Sequence, residues 1–133
     1  MDWIVSTPKA GDIIRVKVRF YHHYGLFVSE DEIIQFGRRD NTGADPRDIR
    51  VMITDINGFA EGGEVETAKL SAEEKRSRRS VRNTLAYARE QLGRDGYDIL
   101  HNNCEHFVNE CVFGEARSNF VDNVRRSLRE KLK

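Results

Sequence analysis

Asn102-Asn103-Cys104-Glu105-His106-Phe107-Val108 is the stretch from which the rest of the chain is read. Asn102 or Asn103 caps a helix expected to run from about Cys104 to Val112 and to stop at Gly114. Cys104 then sits in the first turn, where free backbone N–H groups and the positive end of the helix dipole favour thiolate over thiol. A thiolate is a nucleophile, so the stretch is expected to supply half of a cysteine-based acyl-transfer site. His106 lies two residues on, roughly 200° around the helix, which suits a packing or hydrogen-bonding role better than that of the thiol's base. Cys111 has no flanking asparagines and reads as core. It stands roughly 10.5 Å along the helix axis from Cys104, too far for a disulfide between the two.

Working upstream, Ile14, Val16, Val18 and Phe20 alternate with Arg15, Lys17 and Arg19, the pattern of a half-buried strand. Tyr24–Val28 and Ile33–Phe36 are two apolar runs around the polar Ser29-Glu30-Asp31-Glu32, a hairpin. Residues 37–48 read as a polar loop and Ile49–Thr54 as a fourth strand. Asn57-Gly58 and Gly62-Gly63 mark turns around a short strand at Glu64–Thr67. Ser71 with Glu74 fits a capping box that opens a helix running to about Leu92, ended by Gly93. Tyr97–Leu100 is a short extended piece, and a last helix covers about Arg117 to Leu132. Strands precede helices, so the fold class is α+β, a small antiparallel sheet packed against helices.

An acyl-transfer cysteine needs a base, a group that orients the base, and an oxyanion hole. His23, in Tyr21-His22-His23-Tyr24-Gly25, starts a strand and can be held rigidly. Gln35, on the facing strand, can accept a hydrogen bond from His23 and hold its tautomer, the orienting role of Asp or Asn in other sites. Plainer readings stand beside these. Cys104 alone could be core, Gln35 alone a solvent-facing strand residue, and His22-His23 an adventitious metal pair. His23, His101, His106 and Cys104 do not have a familiar zinc spacing, so no metal and no cofactor is expected.

Asn103-Cys104-Glu105-His106-Phe107 resembles the Asn-Cys-Glu-His-Phe signature of the lecithin retinol acyltransferase-like family. Gly11-Asp12-Ile13-Ile14 resembles that family's Gly-Asp-apolar opening, and Tyr21-His22-His23-Tyr24-Gly25-Leu26-Phe27-Val28 its histidine box. The similarity spans about residues 9–36 and 95–114. It implies a circularly permuted papain-like fold of the NlpC type, with Cys104 as nucleophile, His23 as base and Gln35 in the third polar position. The best-known members carry histidine there; glutamine can orient His23 but cannot share its proton. By weak analogy Tyr21 is an oxyanion-side hydroxyl. The implied activity is acyl transfer or phospholipase A-like hydrolysis of lipid esters through a Cys104 thioester. An intracellular amidase or peptidase of the wider superfamily, and a binding module that has lost catalysis, are the competing readings.

The chain's 133 residues fit one core, and 22 basic against 22 acidic side chains leave no global field that would recruit nucleic acid. Residues 1–114 are expected to form the catalytic domain. Residues 115–133 are expected to form an amphipathic helix, part of that domain or appended to it. From Arg117 to Lys133 the tail carries six basic and two acidic residues, with Phe120, Val121, Val124, Leu128 and Leu132 on one side. It is expected either to dock on the domain or to lie on anionic lipid. No signal peptide and no run of roughly 18–20 apolar residues is visible. The expected location is cytoplasmic, with peripheral contact at a membrane surface through that helix. The expected partner is a lipid or another acyl-ester or amide substrate.

Overall fold

The computed structural model describes residues 1–38, 46–98, 102–115 and 119–131. Its centre is a six-stranded antiparallel sheet: β1 (Asp2–Ile4), β2 (Ile13–Val18), β3 (Tyr21–Ser29), β4 (Glu32–Gly37), β5 (Arg50–Thr54) and β6 (Val65–Lys69). The strands lie in the order β1-β6-β2-β3-β4-β5. Among the described residues five α-helices accompany it: α1 (Ile56–Ala60), α2 (Ala72–Ser77), α3 (Val81–Glu90), α4 (Cys104–Phe113) and α5 (Asn119–Lys131). The α+β class and the antiparallel sheet are those the sequence predicts.

Successive side chains of a strand point to opposite faces, and both faces of this sheet are covered. On one face Ile13, Leu26, Ile34 and Phe36 pack with Phe107, Val108, Cys111 and Val112 of α4. On the other, Ile14, Val16, Phe27 and Ile33 pack with Phe59 of α1. The expected half-buried β2 is thus buried at both Ile13 and Ile14. Phe107, Val108 and Val112 are fully buried, each contributing about 1.5–3 kcal/mol of hydrophobic stabilisation.

Three local expectations need correction, and one strand was not anticipated. β2 ends at Val18, not Phe20: Val18 pairs with Tyr21, so Arg19 and Phe20 form a two-residue turn, with Arg19 at φ 53 and Phe20 97% exposed. Asn57-Gly58 is not a turn but lies inside α1, which Asp55 caps by accepting the Gly58 N–H at 2.7 Å. The helix from Ser71 keeps its capping box, with Glu74 N to Ser71 Oγ at 3.1 Å and Ser71 N to Glu74 Oε1 at 2.8 Å. It breaks, however, at Arg78, whose guanidinium reaches the Gly11 carbonyl at 3.1 Å, while the Arg79 N–H bonds Val112 O at 2.7 Å. Ser80 then caps α3 anew. Finally, β1, which has no clear alternation, pairs with β6.

Residues 125–131 of α5 are exposed. Of its expected apolar side, Leu128 is 55% exposed, while the side chains of Phe120, Val121, Val124 and Leu132 lie outside those described. Among the described residues no helix is long and apolar enough to cross a membrane.

Candidate active site

The site begins with the cap of α4. Asn103 is extended, with φ −93 and ψ −179, and its side chain accepts the His106 N–H at 2.9 Å. His106 Nδ1 in turn accepts the Asn103 N–H at 3.0 Å. This reciprocal cap satisfies two groups that a helix start leaves open. It gives His106 the hydrogen-bonding role expected of it. Asn102 does not cap. Arg94 donates to its Oδ1 at 2.7 Å and also to Glu110 Oε1 at 3.1 Å, tying the segment before α4 to the helix itself. Cys104 is thereby held in the first turn, 7% exposed. Cys111 is fully buried among apolar residues, and both cysteines are free thiols.

His23 and Gln35 come together: His23 Nε2 and Gln35 Oε1 are 2.6 Å apart. A carbonyl oxygen only accepts, so Nε2 carries the proton and Nδ1 keeps its lone pair. Two glycines make room for this contact. A Cβ on Gly37 would stand 2.8 Å from Gln35 Nε2 and 3.0 Å from Met52 Sδ. A Cβ on Gly25 would stand 2.7 Å from Phe59, whose ring lies against His23 with centroids 5.0 Å apart. Gln35 is buried, not facing solvent. His22 points to the opposite face, toward Glu66 and Tyr24, which distinguishes the two adjacent histidines.

The thiol approaches the same stretch of β3. Counting from the turn at Arg19-Phe20, Val18 and Tyr21 form a bonded pair, so Tyr24 falls where its N–H points away from β2. The β3–β4 ladder starts only at Leu26, which leaves the seam open at Tyr24. The Tyr24 N–H donates to Cys104 there, so the sulfur lies against the peptide that joins His23 to Tyr24.

Electrostatics overturn one sequence expectation. Burial pushes the Cys104 thiol up to about 11. The backbone N–H groups of Tyr24, Cys104 and Glu105 pull the other way and do not compensate, while the Glu105 charge adds to the rise. The helix start therefore does not yield a standing thiolate. Burial likewise lowers His23 below its ordinary 6.5, opposed by the Gln35 hydrogen bond and by Glu61. At neutral pH the resting pair is thiol and neutral imidazole.

A cavity of about 290 Å³ opens beside His23 and Gln35, walled by Tyr21, Met52 and Phe59 and carrying Arg38 and Glu61. The sequence marks Asn57-Gly58 only as a turn, and Asp55 three residues ahead of Gly58 is the local cap that signals α1. Tyr21 lines this cavity, and Tyr97 stands near Cys104 and edge-on to Phe36. His101, one of the four residues with no familiar zinc spacing, lies outside the described residues. His106 Nδ1 is already engaged by its cap.

The family model described as lecithin retinol acyltransferase matches residues 6–117. Mouse lecithin retinol acyltransferase is 23% identical over 96% of this chain, which spans 65% of that relative's length. Human phospholipase A and acyltransferase 3 is 26% identical over 90% of this chain and 80% of its own. Human phospholipase A and acyltransferase 4 is 24% identical over 90% and 79%. A family match that extends from before β2 to past the end of α4, and takes in His23, Gln35 and Cys104, shows that the chain belongs to the lecithin retinol acyltransferase family.

Proposed function

We propose that this chain is a cysteine-dependent acyltransferase or acyl hydrolase acting on lipid esters, with Cys104 as nucleophile, His23 as base and Gln35 orienting the base. The observation that carries the reading is the 2.6 Å bond from His23 Nε2 to Gln35, which leaves Nδ1 as the basic nitrogen on the strand whose Tyr24 amide meets the Cys104 sulfur. The names of the relatives, acyltransferases and phospholipase A enzymes, supply the substrate class. Residues 1–114 hold every member of this site, and α5 is its C-terminal appendage.

Because thiol and imidazole both rest neutral, the proton moves as attack occurs rather than before it. The Cys104 S–H bond breaks and Nδ1–H forms while sulfur bonds the ester carbonyl carbon. Backbone N–H groups at the start of α4 hold the oxyanion. Collapse of that intermediate expels the alcohol, which takes the proton from Nδ1, and leaves an acyl thioester on Cys104. An acceptor alcohol, amine or water then gives its proton to Nδ1 and attacks the thioester, which frees the thiol.

Incubation with short-chain phosphatidylcholine, an acid quench and intact-mass measurement test this reading. An acyl-sized mass increase, labile to hydroxylamine and absent in Cys104→Ser, is expected. No adduct and no lipid turnover, with turnover of a peptide panel instead, would transfer the site to amidase chemistry.

A further inference from the structure

Glu61 and Arg19 are the non-glycine residues with positive φ among those described. Arg19 is accounted for by the β2–β3 turn. Glu61, at φ 46 and ψ 40, ends α1 by donating its N–H to Asn57 O at 3.0 Å. That position favours glycine, and Gly62 and Gly63 follow immediately. Capping alone therefore does not explain a glutamate there. Strained conformations of this kind cluster at functional sites.

Its surroundings indicate what the side chain does. Glu61 lines the cavity beside His23 and is the acidic residue among those described around it. Phe59, two residues earlier, lies against the His23 ring at 5.0 Å, which pins the end of α1 to the imidazole. Gln35 is neutral; it orients His23 but contributes no charge to balance an imidazolium. The other polar groups around the cavity at His23 are the phenol of Tyr21 on its own strand, Arg38 after β4 and the Thr54 hydroxyl of β5, while Cys104 packs in the cluster on the α4 face. Arg38 opposes an imidazolium, and its Nε is buried without a hydrogen-bond partner.

We propose that Glu61 is a positioning residue of the candidate site: the left-handed turn ending α1 presents its carboxylate to the cavity at His23, where it stabilises the imidazolium formed when His23 takes the Cys104 proton. The proposal rests on the reading of His23 as base. Glu61 acts through His23 and touches no reacting atom.

The test is an NMR titration of His23, assigned through its loss in His23→Gln, in the wild-type chain and in Glu61→Gln, Glu61→Asp and Glu61→Gly. A carboxylate favours the charged imidazole, so Glu61→Gln lowers the His23 pKa and Glu61→Asp restores most of it. Glu61→Gly lowers it too, while raising Tm, because glycine relieves the strained backbone; a merely structural role would not separate these two readouts. In the wild type, rising salt screens the carboxylate and moves the His23 titration down. Ester turnover in Glu61→Gln falls about two- to fivefold, the span of an exposed ion pair, with its acidic limb displaced. An unmoved His23 titration in both neutral variants overturns the proposal whether or not the chain turns over lipid. A moved titration without any acyl chemistry keeps Glu61's coupling to His23 and removes the lipid reading instead.

Discussion

Replacing Gln35 with leucine removes the one acceptor that His23 Nε2 uses while keeping nearly the same volume. Gln35 is 8% exposed, and its amide occupies the space that a Cβ at Gly37 would take. An N–H left without a partner in a buried site costs about 1–3 kcal/mol; His23 opens partly on the cavity, so about 1–2 kcal/mol is the fitting part of that range. For a chain of this size that lowers Tm by roughly 3–8 °C. The same energy no longer favours the tautomer with its lone pair on Nδ1. A loss of ~1–2 kcal/mol is a factor of about 5–30, which bounds the fall in base-competent His23. Thermal unfolding reads the first effect. The rate of iodoacetamide alkylation at Cys104 across pH, with peptide mapping to separate Cys111, reads the second. Gln35→Glu is the control: it keeps the acceptor and adds a charge that favours imidazolium, so the thiol should alkylate faster at neutral pH. A leucine variant with wild-type Tm and wild-type alkylation would refute the orienting role, because the 2.6 Å contact would then carry no energy.

Gly25→Ala sets a Cβ 2.7 Å from the Phe59 ring and forces it away from His23; a loss of about 1–3 kcal/mol by urea unfolding is expected, and an unchanged midpoint would mean that α1 yields freely. Asn103→Ala removes the α4 cap and half of its reciprocal bond with His106, costing about 0.5–2 kcal/mol, with amide exchange accelerated in the first turn of α4. Stability should rise with pH up to about the ordinary 6.5 of histidine, since lowering His23 in the folded state lets the unfolded chain bind more protons below that value. It should fall again above 9.0, because the folded chain keeps the Cys104 proton up to about 11 while the unfolded chain releases it. Cys104→Ser should make that alkaline loss shallower, with the remainder carried by Cys111 and, above 10.0, by Tyr24, Tyr87 and Tyr97, all of which burial pushes up to about 12. An alkaline limb of unchanged slope in the variant would contradict the assignment.

The features legible in the sequence are local in origin. The caps at Ser71 and Asn103 join groups three residues apart, the alternation of β2 is visible as a period of two, and β3 and β4 are visible as apolar runs around a polar turn. Gly114 caps α4, whereas α3 ends at Glu90, short of Gly93. Cys104, His23 and Gln35, the residues of the proposed site, could be nominated from sequence because motifs of fixed spacing carry them. Long-range contacts set the rest. The break between α2 and α3 depends on Arg78 finding Gly11, 67 residues away in sequence, and on Arg79 finding Val112. β1 forms because β6 offers it a ladder. Phe59 and Glu61 reach His23 only because α1 folds across the sheet. The thiol's charge state follows the same division: the helix start that favours thiolate is local and visible in Asn103-Cys104, but the burial that outweighs it is the sum of everything packed around the sulfur, and no stretch of sequence contains that sum.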